Sequence, residues 1–296
     1  MGFKWILGFV LLEFSLQSAH AAFNAQVFAT TSKVIIFQWD KVADASSYEI
    51  TLALKSNPSA VVAFAVFGAN IVMGSVSTGL TPNTNYSFTI EAKTSAGNVV
   101  NTDSGEHLTA PEQIDSVITV TAKDSTTLEM EFTPKAGVSK YIIRALDTQD
   151  PPTFIEEVEV TSSPALVPNL QPYTDYKLSI MSANDGGRSQ PTAPVTAKTL
   201  LPPPQIQSSS PSNSTIDVSW TAVASAQEYT VFLLKYGASE SEKMSHNTSN
   251  TNYAFTGLDP GALYMIECYA WDAEGRKGES AQTNQTTRPP APPLSP

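Results

Sequence analysis

The sequence is poor in the residues that most catalytic and metal sites require. It contains one cysteine, Cys268, and three histidines in 296 residues. A single cysteine excludes an internal disulfide, so any folded unit must be held together by its core alone. Two histidines, His107 and His246, lie beyond the N-terminal segment, far apart in the chain, and no calcium-type or phosphate-binding loop motif accompanies them. We therefore expect no enzyme activity, no metal site and no cofactor.

Basic residues are also few. There are 17 Lys and Arg against 28 Asp and Glu, which gives a net charge of −11. Nucleic acids and anionic membrane surfaces both attract basic patches, so neither is an expected partner. After the N-terminus no apolar run has the length of a membrane-spanning helix. We expect no nucleic-acid partner and no membrane span.

The first 21 residues are typical of a secretory signal peptide. Lys4 supplies a positive charge, residues 5–14 are mostly apolar, and Ala19-His20-Ala21 fits a cleavage site for small residues. Glu13 interrupts the apolar run, which leaves an uncleaved N-terminal anchor as the alternative. Four Asn-x-Ser/Thr triplets agree with an extracellular glycoprotein, although such triplets also occur by chance: Asn85, Asn213, Asn247 and Asn284.

A Leu-x-Pro-x-x-x-Tyr block occurs three times, and its tyrosines are 90 and 88 residues apart. An aromatic residue followed by a tyrosine nine positions later precedes each block at a similar period. The segments around these positions alternate in polarity with period two, and none has a convincing helical period. This pattern predicts an all-β chain of three tandem sandwiches. The residues are Trp39, Tyr48, Tyr86, then Phe132, Tyr141, Tyr176, then Trp220, Tyr229, Tyr264.

The combination of these residues resembles fibronectin type III domains over residues 23–288. The resemblance implies seven-stranded immunoglobulin-like sandwiches of two antiparallel sheets. It also implies that Tyr86, Tyr176 and Tyr264 form tyrosine corners, in which the phenol hydroxyl bonds to nearby backbone. Trp39 and Trp220 are then expected to fill the centres of their cores. Phe132 takes this place in the middle repeat, whose core would be somewhat less stable.

Proline-containing segments divide the repeats. Thr109-Ala-Pro111 separates the first two, and residues 201–204 separate the second and third. We predict a signal peptide over 1–21, repeats over 22–109, 110–199 and 200–288, and a proline-rich tail over 289–296. The tail begins one period after the second linker, which is expected of a longer protein whose next repeat is missing. A disordered natural tail is the alternative.

Cys268 has the same place in its repeat as Ile90 and Ile180, which lie on the apolar face of an alternating segment. We therefore expect a buried, unreactive thiol. An odd cysteine in a secreted chain could instead form a disulfide between chains.

The first repeat carries no charged residue from Ser56 to Ile90, and within it residues 61–67 are almost entirely apolar. The resemblance places middle and edge strands here, and edge strands usually carry charge or proline. This favours a contact surface for a second copy or for a partner that adds a strand. The alternative is one buried strand with a loop folded over it. The candidate contact residues are Val61, Val62, Phe64, Val66 and Phe67.

No Arg-Gly-Asp motif lies in the loops that such domains often use for adhesion. Arg188, Arg276 and Lys277 could meet an acidic partner there, or could simply be exposed loop charges. We expect a secreted or cell-surface array that binds a protein partner without catalysis. The alternative is a structural spacer within a longer extracellular protein.

Overall fold

The computed structural model describes residues 23–290, and the signal peptide predicted over 1–21 lies outside them. The first unit has a three-stranded sheet in the order β1-β2-β5 and a four-stranded sheet in the order β4-β3-β6-β7, all antiparallel. Its strands are β1 (Gln26–Thr30), β2 (Ile35–Gln38), β3 (Ser47–Leu54), β4 (Asn57–Gly68), β5 (Met73–Val76), β6 (Asn85–Lys93) and β7 (Val99–Leu108).

The second unit repeats this arrangement. One sheet has the order β12-β9-β8, and the other has the order β11-β10-β13-β14, with β15 also paired to β13. Its strands are β8 (Thr119–Ala122), β9 (Leu128–Glu131), β10 (Lys140–Asp147), β11 (Ile155–Val160), β12 (Ala165–Val167), β13 (Asp175–Asn184), β14 (Gly187–Arg188) and β15 (Val195–Lys198).

The third unit has sheets in the orders β16-β17-β20 and β19-β18-β21-β22. A 3-10 helix, Glu240–Glu242, precedes its edge strand, and the part of the chain that the structure describes contains no helix long and apolar enough to cross a membrane. Its strands are β16 (Ile206–Ser212), β17 (Thr215–Trp220), β18 (Glu228–Lys235), β19 (Met244–Thr248), β20 (Asn252–Thr256), β21 (Leu263–Trp271) and β22 (Ala281–Thr286).

Each pair of sheets encloses its own apolar core, because successive side chains of a strand point to opposite faces. Trp39, Phe132 and Trp220 are buried in the three cores. Each packs against the tyrosine nine residues later, with ring centroids 4.9–5.7 Å apart. The all-β fold predicted from the alternation is confirmed, and the described residues contain three such cores.

The six recurring tyrosines are buried amphipathic residues whose hydroxyls accept backbone hydrogen bonds. Tyr86, Tyr176 and Tyr264 accept N–H bonds of 2.8, 2.8 and 2.9 Å from the residue after the leucine of their block. The tyrosines of β3, β10 and β18 accept similar bonds from the loop before their strand. Each hydroxyl therefore satisfies a loop N–H beside the core, where an unpaired donor would be costly.

A buried threonine holds the other side of each corner, and the sequence pattern had not singled it out. Thr109 accepts a bond from the Thr84 N–H at 3.0 Å and donates to the Thr81 carbonyl at 2.8 Å. Thr199 and Thr287 make the same two bonds in their units. They recur at 90 and 88 residues, so the period alone could have identified them.

Candidate functional site

The histidines and the cysteine do not form a common site. His107 lies in β7 of the first unit, and burial lowers its pKa. His246 lies in β19 of the third unit, where its ring stacks on Tyr253 with centroids 3.7 Å apart. Cys268 is fully buried in β21, and burial raises the pKa of its thiol to about 12. A thiol in this state is not an effective nucleophile.

The apolar segment of the first repeat is β4, a 12-residue strand at the edge of its sheet. Among the described strands it pairs only with β3. Val61, Phe64 and Val66 are exposed by 58%, 53% and 56%, which places three large apolar side chains in solvent along one strand. Val62 and Phe67 are half-buried and pack against the core instead. The five candidate residues thus divide into an exposed row and two core-packed side chains.

The Phe67 side chain attaches β4 to the core of the first unit. Its ring lies 5.7 Å from that of Trp39, so it closes the edge of the core. A Cβ at Gly74 of β5 would lie 2.6 Å from its Cε2 atom, so a larger residue there would require the Phe67 ring to shift. Leu52 and Ala53 pair with Ala63 and Val61, which leaves Val62 as an extra residue in a β-bulge.

The direction of the backbone groups on β3 follows from one hydrogen bond at its end. The Lys55 N–H donates to the Asn85 carbonyl at 3.0 Å, towards β6. Along an antiparallel strand the hydrogen-bonding direction alternates from one residue to the next. Ile50 and Leu52 therefore direct their N–H and C=O groups the other way, towards β4.

The same alternation determines which backbone N–H and C=O groups of β4 remain free. Ala65 and Ala63 stand opposite Ile50 and Leu52, so their backbone groups bond to β3. Phe64 and Val66 direct their N–H and C=O groups away from the sheet, where the described residues contain no further strand. The exposed apolar row and the free hydrogen-bonding groups thus belong to the same two residues.

The corresponding edges of the other units differ in charge and length. The edge strand β11 has six residues and carries Glu156, Glu157 and Glu159. Glu157 bonds to Arg144 and, at 3.1 Å, to Arg188. The edge strand β19 has five residues, of which only Met244 is a large apolar one, and it contains the triplet that begins at Asn247. Of these three edges, only β4 combines length, apolar side chains and an absence of charge.

The cationic loop residues all have partners within the chain. Arg188 pairs with Glu157, as described above. Arg276 bonds to Asp272 at 2.8 Å, and its guanidinium lies near the Tyr173 ring. The Lys277 ammonium lies 3.7 Å from Glu267 and 4.0 Å from the centre of the Tyr269 ring. These contacts favour the structural interpretation of the loop charges over a site for an acidic partner.

Three of the four Asn-x-Ser/Thr asparagines are exposed. Asn85 begins β6, Asn247 lies in β19 and Asn284 lies in β22, whereas Asn213 is half-buried in the turn between β16 and β17. The Asn247 side-chain oxygen accepts a bond from Thr230 at 2.9 Å. All three exposed positions lie in a four-stranded sheet, away from the buried cores.

The first and second units meet through two asparagines. Asn184, at the end of β13, donates to the Asn83 side chain and to the Thr109 carbonyl, both at 2.9 Å. Asn83 in turn donates to the Gly137 carbonyl of the second unit at 2.8 Å. The turn after Asn184 lies so close to the first unit that a Cβ at Gly186 would be 2.5 Å from the Leu108 carbonyl carbon. We call this contact the first junction.

The second junction uses the corresponding parts of the next two units. Tyr173 has the same position in its block as Asn83 and a similar positive φ, 50° in both cases. Its ring packs against the core of the third unit and lies 4.8 Å from the Lys198 ammonium. Across the junction, the Glu279 carboxylate accepts bonds from the Ser125 hydroxyl at 2.6 Å and from its N–H at 3.2 Å.

Comparison with known proteins gives relatives for part of the chain. Over 184 residues it is 38% identical to mouse fibronectin type III domain-containing protein 7, and over 183 residues it is 37% identical to the human protein. These matches cover 62% of this chain and 24% of each relative, so the chain spans about a quarter of their length. The three fibronectin units of chicken CNTN1 match at 15% identity with a TM-score of 0.34, covering 90% of this chain and 99% of that one.

A family model gives the assignment. The model described as fibronectin type III domain matches residues 110–198 and 201–286, which contain the strands of the second and third units. The first unit, β1–β7, lies outside the matched ranges. Since the matched ranges cover more than half of the chain, it belongs to the fibronectin type III family.

Proposed function

We propose that this chain is a secreted or cell-surface array of three fibronectin type III repeats, over 22–109, 110–199 and 200–288, that binds a protein partner without catalysis. The observation that carries the proposal is the β4 edge, where the exposed Phe64 and Val66 also offer free backbone groups. An extended partner segment would gain main-chain hydrogen bonds from these groups and apolar contact from the side chains. An adhesion-type role follows from this mode of binding.

Several observations support the extracellular, non-catalytic part of this proposal. Members of the family are generally non-catalytic and typically extracellular or at the cell surface. His107, His246 and Cys268 lie apart, and the thiol pKa of about 12 disfavours nucleophilic chemistry. The exposed Asn85, Asn247 and Asn284 are sterically open to glycosylation.

The two junctions favour a second function, that of a spacer with defined geometry. Asn83 and Asn184 tie the first unit to the second, and Ser125 and Glu279 tie the second to the third. Charged or amide side chains that bond across a boundary restrict the angle between units. In this alternative the β4 edge would have no partner, and recognition would reside in other parts of a longer protein.

Photo-crosslinking tests the binding function directly. The photoreactive residue p-benzoylphenylalanine replaces Phe64 on the exposed row of β4, and in a matched variant it replaces Thr102 on the opposite edge strand β7. The chain is incubated with the cells that produce it and irradiated, and adducts are identified by mass spectrometry. We expect protein adducts at position 64 and few at position 102. Equal or absent adducts at both positions would favour the spacer.

A further inference from the structure

We propose that the partner of β4 is β4 of a second copy of this chain, paired antiparallel about a twofold axis that passes through Ala65. The inference rests on the proposed binding function of this edge. It adds the identity of the occupant and the register of the pairing. The two four-stranded sheets would then continue as one eight-stranded sheet across the dimer.

The register follows from the backbone direction. In an antiparallel pair, two residues exchange both of their hydrogen bonds only when both direct their groups at the partner strand. Phe64 and Val66 both do so, and they lie one residue on either side of Ala65. With the axis at Ala65, Phe64 stands opposite the partner's Val66, and Val66 stands opposite the partner's Phe64. Each copy thus satisfies the free groups of the other.

The same register is favourable for the side chains. Phe64 and Val66 point to the outer face of the sheet, and both are more than half exposed. Pairing places an aromatic ring beside a β-branched side chain twice, which is a stabilising combination across antiparallel strands. Gly68 adds no bulk at the end of the strand, and Val61 extends the apolar row beyond the bulge.

The absence of charge on β4 makes this strand compatible with a second copy of itself. An antiparallel pair about a twofold axis places each residue opposite another residue of the same strand, so a strand that carries several charges of one sign would bring like charges together. β4 carries no charge from Asn57 to Gly68, although the chain as a whole has a net charge of −11. The equivalent strand β11, with its three glutamates, would place carboxylates against carboxylates. Self-pairing is therefore open to the first unit and closed to the second.

Disulfide trapping tests the register in the full secreted chain. With the axis at Ala65, the two Ala65 residues form a pair without mutual hydrogen bonds, whose Cα atoms are about 4.5 Å apart. This distance is within the range that a disulfide spans. The variant Ala65→Cys should therefore form a disulfide-linked dimer under mild oxidation. Native Cys268 does not compete, because it is fully buried and its thiol pKa is about 12.

The matched control is Ser59→Cys, an exposed position on the same strand. It lies six residues from the axis, so the two copies of residue 59 would be about 40 Å apart and should not crosslink. Adding Phe64→Lys to Ala65→Cys should abolish the crosslinked dimer, whereas adding Thr102→Lys on β7 should leave it unchanged. Circular dichroism and the unfolding midpoint establish that each variant is folded.

The outcomes separate this inference from the proposed function. Dimer formed by Ala65→Cys alone, together with a concentration-dependent dimer of the unmodified chain in sedimentation, supports the inference. Equal crosslinking of Ala65→Cys and Ser59→Cys, or of neither, overturns it. If position 64 then still crosslinks to a different protein, the binding function stands and only the second copy is wrong. If it crosslinks to nothing, both are wrong.

Discussion

Replacing Gly186 by alanine should loosen the first junction while leaving the cores intact. The two atoms nearest to the new Cβ would be the carbonyl oxygen and carbon of Leu108, the carbon at 2.5 Å. Because both belong to the backbone, the turn after β13 must move away. A displacement of about 1 Å is enough to break the two 2.9 Å bonds that Asn184 donates across the junction. Each bond contributes about 1 kcal/mol net, so the coupling between the units falls by about 2 kcal/mol.

Substitutions at two other glycines should have effects of different size, which provides a comparison for Gly186→Ala. A Cβ at Gly278, in the second junction, would meet the Leu201 side chain at 2.9 Å and the Ala270 carbonyl oxygen at 3.0 Å, which requires a smaller shift. A Cβ at Gly68 would meet nothing within 4 Å. We therefore expect the effect to be large for Gly186→Ala, smaller for Gly278→Ala and absent for Gly68→Ala.

The assay combines small-angle X-ray scattering with calorimetry on the full chain. Gly186→Ala should broaden the distribution of maximum dimensions and lower the unfolding temperature of the first two units. The effect of adding Asn184→Ala should be less than additive, because both substitutions remove the same two bonds. Scattering and unfolding identical to those of the unmodified chain, or fully additive effects of the two substitutions, would refute the role assigned to this junction.

Three further predictions concern single side chains, one in each unit. Tyr176→Phe leaves the Gln171 N–H without its 2.8 Å partner and should lower the free energy of unfolding by about 1–3 kcal/mol in urea denaturation, with no change in the β-sheet circular dichroism spectrum. Cys268→Ser places a hydroxyl in a fully apolar position and should cost the third unit about 1–3 kcal/mol, more than Cys268→Val, while iodoacetamide should leave the folded chain unmodified. Burial lowers the pKa of His107 below its ordinary value of 6.5, so the unfolded chain binds a proton first as the pH falls. The stability of the first unit should therefore decline as the pH falls through 6.5 and level off below the folded pKa; His107→Gln should flatten this decline in thermal unfolding, and an unchanged slope would contradict the assignment.

The strand pattern was accessible from the sequence because burial in a sandwich alternates along each strand. Period two placed Ile35 and Phe37 on one face of β2, and together with the repeated tyrosine block it placed Cys268 in the position of Ile90 and Ile180. The exposure of Phe64 and Val66 was less accessible. It depends on the bulge at Val62 and on which sheet the strand joins, and neither is encoded by local alternation.

The junctions could not be predicted, because they depend on contacts between units. Asn184 and Gly186 looked like ordinary loop residues in the sequence. Their role appears only in the structure, where the Asn184 amide bonds to Asn83 and the lack of a side chain at Gly186 allows close approach to Leu108. Both contacts restrict the angle between the first and second units. The threonines at 109, 199 and 287 were different, since their period was present in the sequence and only their role required the structure.

The position of Thr109 has a consequence for how the first two units would bear tension. Thr109 holds the corner loop of the first unit from one side while Tyr86 holds it from the other, and the carbonyl of the same threonine accepts a bond from Asn184 of the next unit. A force applied along the chain therefore reaches the corner and the junction at the same residue. If the first unit unfolded under force, it would also lose the contact that orients the second unit. The length of the chain and the angle between its units would then change in the same step.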